Sequence, residues 1–435
     1  MKKAISLALF ISGVIAIILI LAPFFPKYLG MLVFLSLFLL GDLVLWLLVR
    51  AWIKRRDKPL KYLLSALFWL PGATLFLLVI AGLFVPFISW NITAKAILLS
   101  LLMMTIASKM IPLVLTLLNR LVRILVPGLS KAGKYRLWWI DATAWILGGL
   151  VWMTMLSGMI VWVYDFKVVT VDVSSPKLPA SFDNFRIVQF SDVHLGNWTC
   201  RKKLNEAINR INGLKPDLVV FTGDMFTYSS SEGRGFISCL KQVKARYGVY
   251  AVLGNHDYGD YVKWESPVAK EMNFDELKNF YSELGWKLLL NHSAVIRHGN
   301  DSINILGVEN WGAKRRFQRY GDISKAETGI NRSLFSILLS HDPSYWDSII
   351  SSKHPEIDLT LSGHTHGGQI GIEYGSLRWS ILAVSNPLWG GLYLRNKAGF
   401  LSTLYVNEGL GTVGYAGRIG IRPEITLIKL HTIKK

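Results

Sequence analysis

The sequence predicts a chain in two parts, a helical membrane region followed by a layered α/β domain. Of the 435 residues, 51% are hydrophobic and only 18% are charged, whereas charged residues make up about a quarter of an average soluble domain. The imbalance is local, because residues 1–164 hold 16 Lys and Arg but only three acidic residues. After residue 165, short apolar strands alternate with helices, as in layered α/β domains. We therefore assign residues 1–164 to a transmembrane region and residues 165–435 to a second domain.

Five apolar stretches in the membrane region are each long enough to cross a bilayer, which takes about 20 helical residues. Each should be helical, because lipid offers the backbone no hydrogen-bond partners. The first follows Met1-Lys2-Lys3 and lacks a small-residue cleavage site, so we interpret it as a retained span rather than a signal peptide. The predicted spans are 4–22, 29–49, 62–87, 96–118 and 137–164.

Basic residues in the connecting loops predict the orientation, because short cytoplasmic loops are rich in Lys and Arg. Such residues cluster at 50–61 and 120–136, whereas Lys27 and Lys95 stand alone in the other two loops. The pattern predicts a multi-pass protein of the cell membrane with a cytoplasmic N-terminus and an extracytoplasmic second domain. Since 13 of the 19 net positive charges belong to the membrane region, the basic composition does not indicate nucleic-acid binding.

Asp42 and Lys109 lie within predicted spans, where an ionisable side chain is by default a functional candidate. Neither belongs to a larger set of polar residues. We favour a structural interpretation. Either the two side chains form a pair that faces the interior of the bundle, or Lys109 extends to the membrane interface while Asp42 is hydrogen-bonded to a neighbouring helix. Cys200 and Cys239 are too few for a disulfide framework, and they either form one bridge or remain free thiols.

The second domain has short apolar runs that predict strands and amphipathic runs that predict helices. Gly213 and Pro216 end the first predicted helix. The predicted strands are 166–173, 186–190, 218–221, 249–253, 303–308, 336–339 and 357–361, and the predicted helices are 201–212 and 273–284.

Five of these strands are followed directly by residues that can bind a metal ion. Ligands of open α/β sheets bind at the carboxyl ends of the strands, so we expect the five loops to converge on one rim. Where two such residues are separated by one other, an extended backbone would turn both side chains to the same side. The loops are Ser191-Asp192-Val193-His194, Thr222-Gly223-Asp224, Gly254-Asn255-His256-Asp257, Ser340-His341-Asp342 and Ser362-Gly363-His364-Thr365-His366.

The side chains in these loops are carboxylates, an amide and imidazoles, without a thiolate. This mixture suits Mn, Fe or Zn in a catalytic site better than a structural zinc site. A single D-x-H motif or histidine arises by chance in many proteins, but five of the nine histidines share this strand-end setting. The candidate ligands are too many for one ion with an open position and fit two divalent ions that share a carboxylate. They are Asp192, His194, Asp224, Asn255, His341, His364 and His366.

At these residues the sequence resembles the calcineurin-like metallophosphoesterases, whose motifs are D-x-H, G-D, G-N-H-[D/E], H and G-H-x-H. All five appear in that order, and the resemblance covers about residues 183–430. Segments 363–369, 405–412 and 422–427 resemble a membrane-associated bacterial branch. Some members of that branch hydrolyse UDP-2,3-diacylglucosamine, and others are bound to the cell wall. The resemblance implies an αββα sandwich and a metal-dependent hydrolase.

The resemblance also implies roles for individual residues. Asp224 would bridge two metal ions, and His256 would act beside the phosphate as a proton donor oriented by Asp257. Where the branch often has a second acid, this chain has Thr227. The implied ligands of one ion are Asp192, His194 and His366, and those of the other are Asn255, His341 and His364.

The predicted function is hydrolysis of a lipid-linked or envelope phosphodiester or pyrophosphate at the membrane surface. The alternatives are a broad-specificity phosphodiesterase for soluble substrates and a non-catalytic membrane sensor or wall-binding protein. The basic segment 314–319 either binds an anionic substrate or headgroup, or is a solvated charge run. Trp379, Trp389, Tyr393 and Phe400 either form an apolar lip towards the bilayer or cap the core.

Overall fold

The computed structural model of the protein describes residues 12, 13, 16, 20, 29–85, 90–125, 138–314, 317, 319–397 and 400–433. The chain divides into two compact units, Met1–Leu156 and Ser157–Lys435. Most of the predicted first span, 4–22, lies outside the described residues. The same holds for Lys131, Lys134 and Arg136 of the second basic loop.

Among the described residues of the first part of the chain there are four long apolar helices. All four are long and apolar enough to cross a membrane, so four of the five predicted spans correspond to helices. Two contain an internal proline, Pro71 and Pro112, which neighbouring helices in a membrane bundle can accommodate. The helices are α1 (Leu29–Ile53), α2 (Lys58–Phe84), α3 (Ile92–Leu125) and α4 (Trp138–Ile160).

Asp42 and Lys109, which lie well inside their helices, form an ion pair. The Lys109 ammonium donates to both Asp42 carboxylate oxygens at 2.9 Å and to the carbonyl oxygen of Phe68 at 2.8 Å. These contacts join α3 to α1 and α2. Since both charges have their partners within the bundle, the structural interpretation is the one that the contacts support.

In its described residues the second unit contains fourteen strands. They are β1 (Lys167–Ser175), β2 (Phe185–Phe190), β3 (Leu218–Phe221), β4 (Val249–Ala251), β5 (Lys287–Leu288), β6 (His292–His298), β7 (Asp301–Gly307), β8 (Ser336–Leu339), β9 (Leu359–Ser362), β10 (Gly371–Tyr374), β11 (Leu377–Ser380), β12 (Gly391–Lys397), β13 (Phe400–Val406) and β14 (Glu424–Thr432). They form two six-stranded sheets, with the orders β1-β14-β2-β3-β4-β5 and β12-β13-β9-β8-β7-β6, and a separate two-stranded hairpin, β10–β11.

Helices cover the outer faces of the sheets. The longest of them, α7 (Pro267–Leu284), begins before the predicted residue 273. It starts there because the Ser266 hydroxyl accepts the Ala269 N–H and Pro267 occupies the first turn. Proline is favoured there, since its missing N–H would have no partner in the helix. The α-helices are α5 (Arg201–Gly213), α6 (Ile237–Leu240), α7 (Pro267–Leu284), α8 (Ile323–Ala326) and α9 (Ser351–Lys353).

The core lies between the two sheets, where alternate side chains of both inner faces pack together. Ile187 and Val220 of the first sheet belong to the same buried cluster as Ile305 and Ile337 of the second. The opposite face of the first sheet packs on α5 and α7, and that of the second on the turn around Trp346. This arrangement is the expected αββα sandwich. Cys200 and Cys239 are both free thiols.

Candidate metal centre

The strand ends that carry the predicted residues come from both sheets. β2, β3 and β4 are parallel neighbours in the first sheet, and β8 and β9 are parallel neighbours in the second. The Asp192 N–H donates to the Gly223 carbonyl within the first set, and the Gly363 N–H donates to the His341 carbonyl within the second. The His364 N–H donates to Asp192 Oδ2 at 2.9 Å across the two sets, so the loops converge at the junction of two sheets rather than on the rim of one.

The first group of candidate ligands contains Asp192, His194 and His366, all buried and with their nearest ligand atoms within 4.8 Å of one another. The Nε2 atoms of the two histidines lie 3.0 Å apart, and His366 Nε2 lies 3.4 Å from Asp192 Oδ1. Nitrogens bound at about 2.1 Å to one ion, at angles of 90–109°, lie about 3.0–3.4 Å apart. The spacing is therefore that of neighbouring ligands around one ion.

The second group contains Asp224, His341 and His364, with Asn255 beside them. His341 Nε2 lies 3.2 Å from His364 Nδ1 and 3.2 Å from Asn255 Oδ1. One oxygen, Asp224 Oδ2, is 3.2 Å from His341 Nε2 and 3.5 Å from His194 Nε2 of the first group. Asp224 is thus the side chain that joins the two groups.

Burial and the Asp224 carboxylate shift the pKa values of the candidate ligands in different directions. Burial lowers the pKa of His194 to about 3 and that of His366 well below its usual value, so both imidazoles are neutral and keep a lone pair. Burial raises the pKa of Asp192 to about 7. Burial alone would lower the pKa of His341, but the Asp224 carboxylate raises it to about 10. Carboxylates and imidazoles grouped at ligand spacing in a buried space fit divalent metal ions.

The backbone of the motif loops is strained, which the sequence did not reveal. Five of the nine non-glycine residues with positive φ in the described part of the chain are candidate ligands. Each such residue costs about 1–3 kcal/mol, and such strain concentrates at functional sites. The predicted extended backbone around residues 192–194 and 364–366 is therefore wrong, and His364 and His366 belong to different groups. The φ values are 53° for Asp192, 48° for His194, 60° for Asp224, 73° for His364 and 52° for His366.

Two motif glycines are needed for close approach. A Cβ at Gly254 would overlap the Asp224 carboxylate, and a Cβ at Gly363 would overlap Ser191 and Asp192. Any side chain at these positions would displace a candidate ligand.

His256 lies at the edge of the two groups, half-buried. Its ring stands edge-on to His194 at 4.9 Å and is stacked on Tyr261 at 4.2 Å between ring centroids. Its Nδ1 atom lies 2.9 Å from the carbonyl oxygen of Thr227. A carbonyl only accepts, so Nδ1 carries the proton in this contact and Nε2 is left for another partner.

Asp257 does not orient His256 in the way that the resemblance implied. Its buried carboxylate is bound by backbone N–H groups, and burial, aided by the charge of Asp224, raises its pKa to about 7. Because these N–H groups come from two motif loops, Asp257 holds the loop after β3 against the loop after β4. The donors, at 2.9–3.1 Å, are the N–H groups of Asp224, Met225, Phe226 and Gly254.

Two residues that support the centre had no role predicted from the sequence. Asp342 Oδ2 lies 3.6 Å from His364 Nε2, and its position directly after His341 was a usable signal. The fully buried guanidinium of Arg418 donates to four carbonyl oxygens of the surrounding loops, for which a lone Arg in a glycine-rich segment gave no signal. The acceptors belong to His366, Glu408, Gly409 and Gly411.

The basic segment 314–319 is partly described. Phe317 is buried and stands edge-on to His364 at 5.0 Å, so the segment reaches the metal centre. Arg319 is stacked on Trp311 at 4.7 Å and donates to the Gly312 carbonyl. Arg315, Arg316 and Gln318 lie outside the described residues.

One further group, outside the motif loops, has a similar composition. His354 Nδ1 lies 2.8 Å from Glu327 Oε1 and 3.0 Å from Glu356 Oε1. Arg332 also pairs with Glu327, so this group already has partners within the chain. A variant of it is therefore a suitable control for variants of the candidate metal centre.

Carboxylates and imidazoles at the strand ends of an αββα sandwich define the class of metal-dependent phosphoesterases. Residues 185–368 match the calcineurin-like phosphoesterase family. A segment of 270 residues, 60% of this chain, is 34% identical to the metallophosphoesterase YkuE of Bacillus subtilis and covers 84% of that protein. The chain belongs to the calcineurin-like phosphoesterase family, as predicted, and this family supports the expected metal-dependent hydrolase.

The names of two further relatives refer to a membrane or to a lipid-bearing substrate. A Danio rerio transmembrane protein with metallophosphoesterase domain is 35% identical over 271 residues, 61% of this chain. The match spans only 57% of that relative's length. UDP-2,3-diacylglucosamine pyrophosphatase LpxG of Chlamydia trachomatis is 31% identical over 297 residues, 58% of this chain and 86% of LpxG. Together with the four apolar helices, the transmembrane relative supports a membrane protein.

Proposed function

We propose that this protein is a dinuclear-metal phosphoester hydrolase that acts at the membrane surface on a lipid-linked or envelope phosphodiester or pyrophosphate. The observation that carries the proposal is the pair of ligand groups joined by one oxygen of Asp224. The substrate class draws support from LpxG, whose name describes a pyrophosphatase for a diacylated sugar nucleotide.

The residues present divide the chemistry between them. Two divalent ions, of Mn, Fe or Zn, held by the groups around Asp192 and His341 would supply a nucleophilic water and neutralise charge on the phosphoryl group. His256 would donate a proton to the leaving oxygen from Nε2, while the Thr227 carbonyl holds Nδ1. Asp257 would keep the loops in register through its four backbone bonds.

The extracytoplasmic orientation of the domain is also part of the proposal. Lys54, Arg55 and Arg56 are exposed between α1 and α2, and a basic loop favours the cytoplasmic side. Three further crossings by α2, α3 and α4 would place the second domain on the opposite side. This inference does not depend on the span predicted at 4–22. Reporters fused after Lys134 and after Lys435 should report opposite sides, and signals from the same side would contradict it.

The decisive experiment measures turnover by the purified full-length protein, reconstituted with metal in lipid nanodiscs. We expect hydrolysis of one or more nucleotide-linked or envelope lipids, at a higher kcat/KM than for a soluble chromogenic phosphodiester. Equal or greater efficiency on soluble esters would instead support the broad-specificity phosphodiesterase. Full metal loading without turnover on either panel would contradict an enzyme and support the sensor or wall-binding protein. His354→Ala, which alters the control group, should leave the rates unchanged.

A further inference from the structure

The hairpin β10–β11 carries its apolar side chains on the outside. Its register pairs Ile372 with Trp379 and Tyr374 with Leu377. Because side chains two residues apart in a strand point the same way, these four lie on one face. All four are exposed, Tyr374 by 83% and Leu377 by 59%.

The opposite face of the hairpin is polar and bound to the domain. It carries the facing pair Glu373 and Arg378. Glu373 accepts from Lys167 Nζ at 2.6 Å and from Arg378 Nε at 3.2 Å. Arg378 also pairs with the buried Glu408, and its guanidinium lies 4.6 Å from the centre of the Trp389 ring. Ion pairs thus fix the hairpin with its apolar face outward.

This polarity is the reverse of that expected in water. A sheet with one solvated face normally buries its apolar face and exposes its polar one. The exposed apolar surface continues into the 3₁₀ turn Ile381–Val384, where Ile381 and Val384 are also exposed, Val384 by 83%. A contiguous exposed apolar surface of this kind marks an interaction site.

The hairpin begins close to the end of the last membrane-crossing segment, Trp139–Tyr164. The Gly158 carbonyl, within that segment, accepts the Arg418 N–H at 3.2 Å. The next residue, Ile419, accepts the N–H of Gly371, the first residue of β10, at 2.9 Å. Lys167, the partner of Glu373, follows the end of the segment by three residues, which is about 10 Å of extended chain.

We infer that residues 371–384 form a lipid-contacting surface that dips into the interface of the bilayer in which the chain is anchored. Two observations select lipid as the occupant: the outward apolar face and its connection to the end of a membrane-spanning helix. Tyr374 and Trp379 are of the types that favour the membrane interface. Since β10 begins five residues after His366, the surface would hold the metal centre near the headgroups. The inference stands on geometry and does not require catalytic activity.

The four aromatic residues singled out in the sequence therefore divide. Trp379 belongs to the apolar lip. Tyr393 packs against the core around Trp346, as in the core interpretation. Trp389 and Phe400 are half-buried.

The test places a fluorescent label on the hairpin of the full-length protein in nanodiscs. Cys200 and Cys239 are first replaced by Ser and Ala, and Tyr374→Cys then takes an environment-sensitive dye. The matched control is Val295→Cys, an exposed aliphatic position on β6, at the far edge of the second sheet from β12. In nanodiscs whose acyl chains are brominated, the label at 374 should lose most of its fluorescence and the label at 295 almost none.

Two outcomes would overturn the inference. One is that the label at 374, like the label at 295, is as bright in brominated lipid as in ordinary lipid. The other is a label at 374 that is shielded from aqueous iodide but not quenched by brominated lipid, because another protein would then cover the hairpin. Leu377→Cys repeats the measurement on the same face, so misfolding of one variant does not decide the result. Hydrolysis is not measured, so the proposed activity can fail or succeed separately.

Discussion

Buried charged and polar groups occur in both parts of the molecule, but their partners differ. Those in the bundle form one ion pair, whereas those at the strand ends form groups of candidate metal ligands. In the membrane bundle, Lys109 donates to Asp42 and to a backbone carbonyl, so each group satisfies the other. At the strand ends, several imidazoles and carboxylates converge on the same space, with His194 Nε2 3.0 Å from His366 Nε2. Burial alone therefore does not mark a functional site. A buried set of carboxylates and imidazoles at the spacing of metal ligands indicates a bound cation.

The largest expected effect tests the side chain that joins the two ligand groups. Asp224→Ala should release both metal ions and lower kcat by about 10³-fold or more, beyond the 10²–10³ typical for one electrostatic contact. Metal content by mass spectrometry and turnover are measured on the same sample. His354→Ala, which alters the balanced group of Glu327 and Glu356, is the control. Two ions and undiminished turnover in D224A would reject the site assignment.

Next is the proposed proton donor, which is not a candidate ligand. His256→Ala should keep both ions and lower kcat by about 10²–10⁴-fold, the usual contribution of a general acid. A leaving group of low pKa should recover much of the rate, because it needs no proton. An equal loss on good and poor leaving groups would argue that His256 acts otherwise.

In the bundle, removal of one partner should cost stability and not chemistry. Lys109→Met leaves the Asp42 carboxylate buried without a cation, which costs about 3 kcal/mol. Thermal unfolding in detergent measures the loss, and Asp42→Asn combined with Lys109→Met should recover part of it. Soluble-ester turnover by the folded K109M protein should equal that of wild type. A selective loss of turnover would give this pair a functional role.

The smallest effect concerns the carboxylate behind a candidate ligand. Asp342→Asn keeps the shape but weakens the contact with His364 Nε2, and such changes cost about 10–100-fold in metal affinity. Titration with a competing chelator measures it. Because Asp342 lies beside the second group only, one ion should be lost before the other. Simultaneous loss of both ions would show that the two groups do not bind independently.

Much of the fold was predictable because local patterns agreed with the tertiary structure. The predicted strands 218–221 and 336–339 have the observed bounds of β3 and β8, since each is a short apolar run that ends at polar motif residues. Helix α7 was predicted too short because its N-terminal turns lack an apolar stripe and depend on the cap at Ser266.

The candidate site was predictable as a set of residues but not as a geometry. Order and spacing placed Asp192, Asp224 and His341 in the same centre. They did not reveal that two sheets meet there or that the ligand loops adopt left-handed conformations, because both features arise from packing between distant segments. The same holds for Arg418, whose four carbonyl partners come together only in the folded loops.

The proposed hydrolysis requires two metal ions at the strand ends. The most direct test is an anomalous-difference map from crystals of the full-length protein reconstituted with Mn or Zn. We expect two peaks, one between Asp192, His194 and His366 and the other between Asn255, His341 and His364, with Asp224 touching both. A fully reconstituted crystal with no peak among these side chains, or with a single peak, would contradict it.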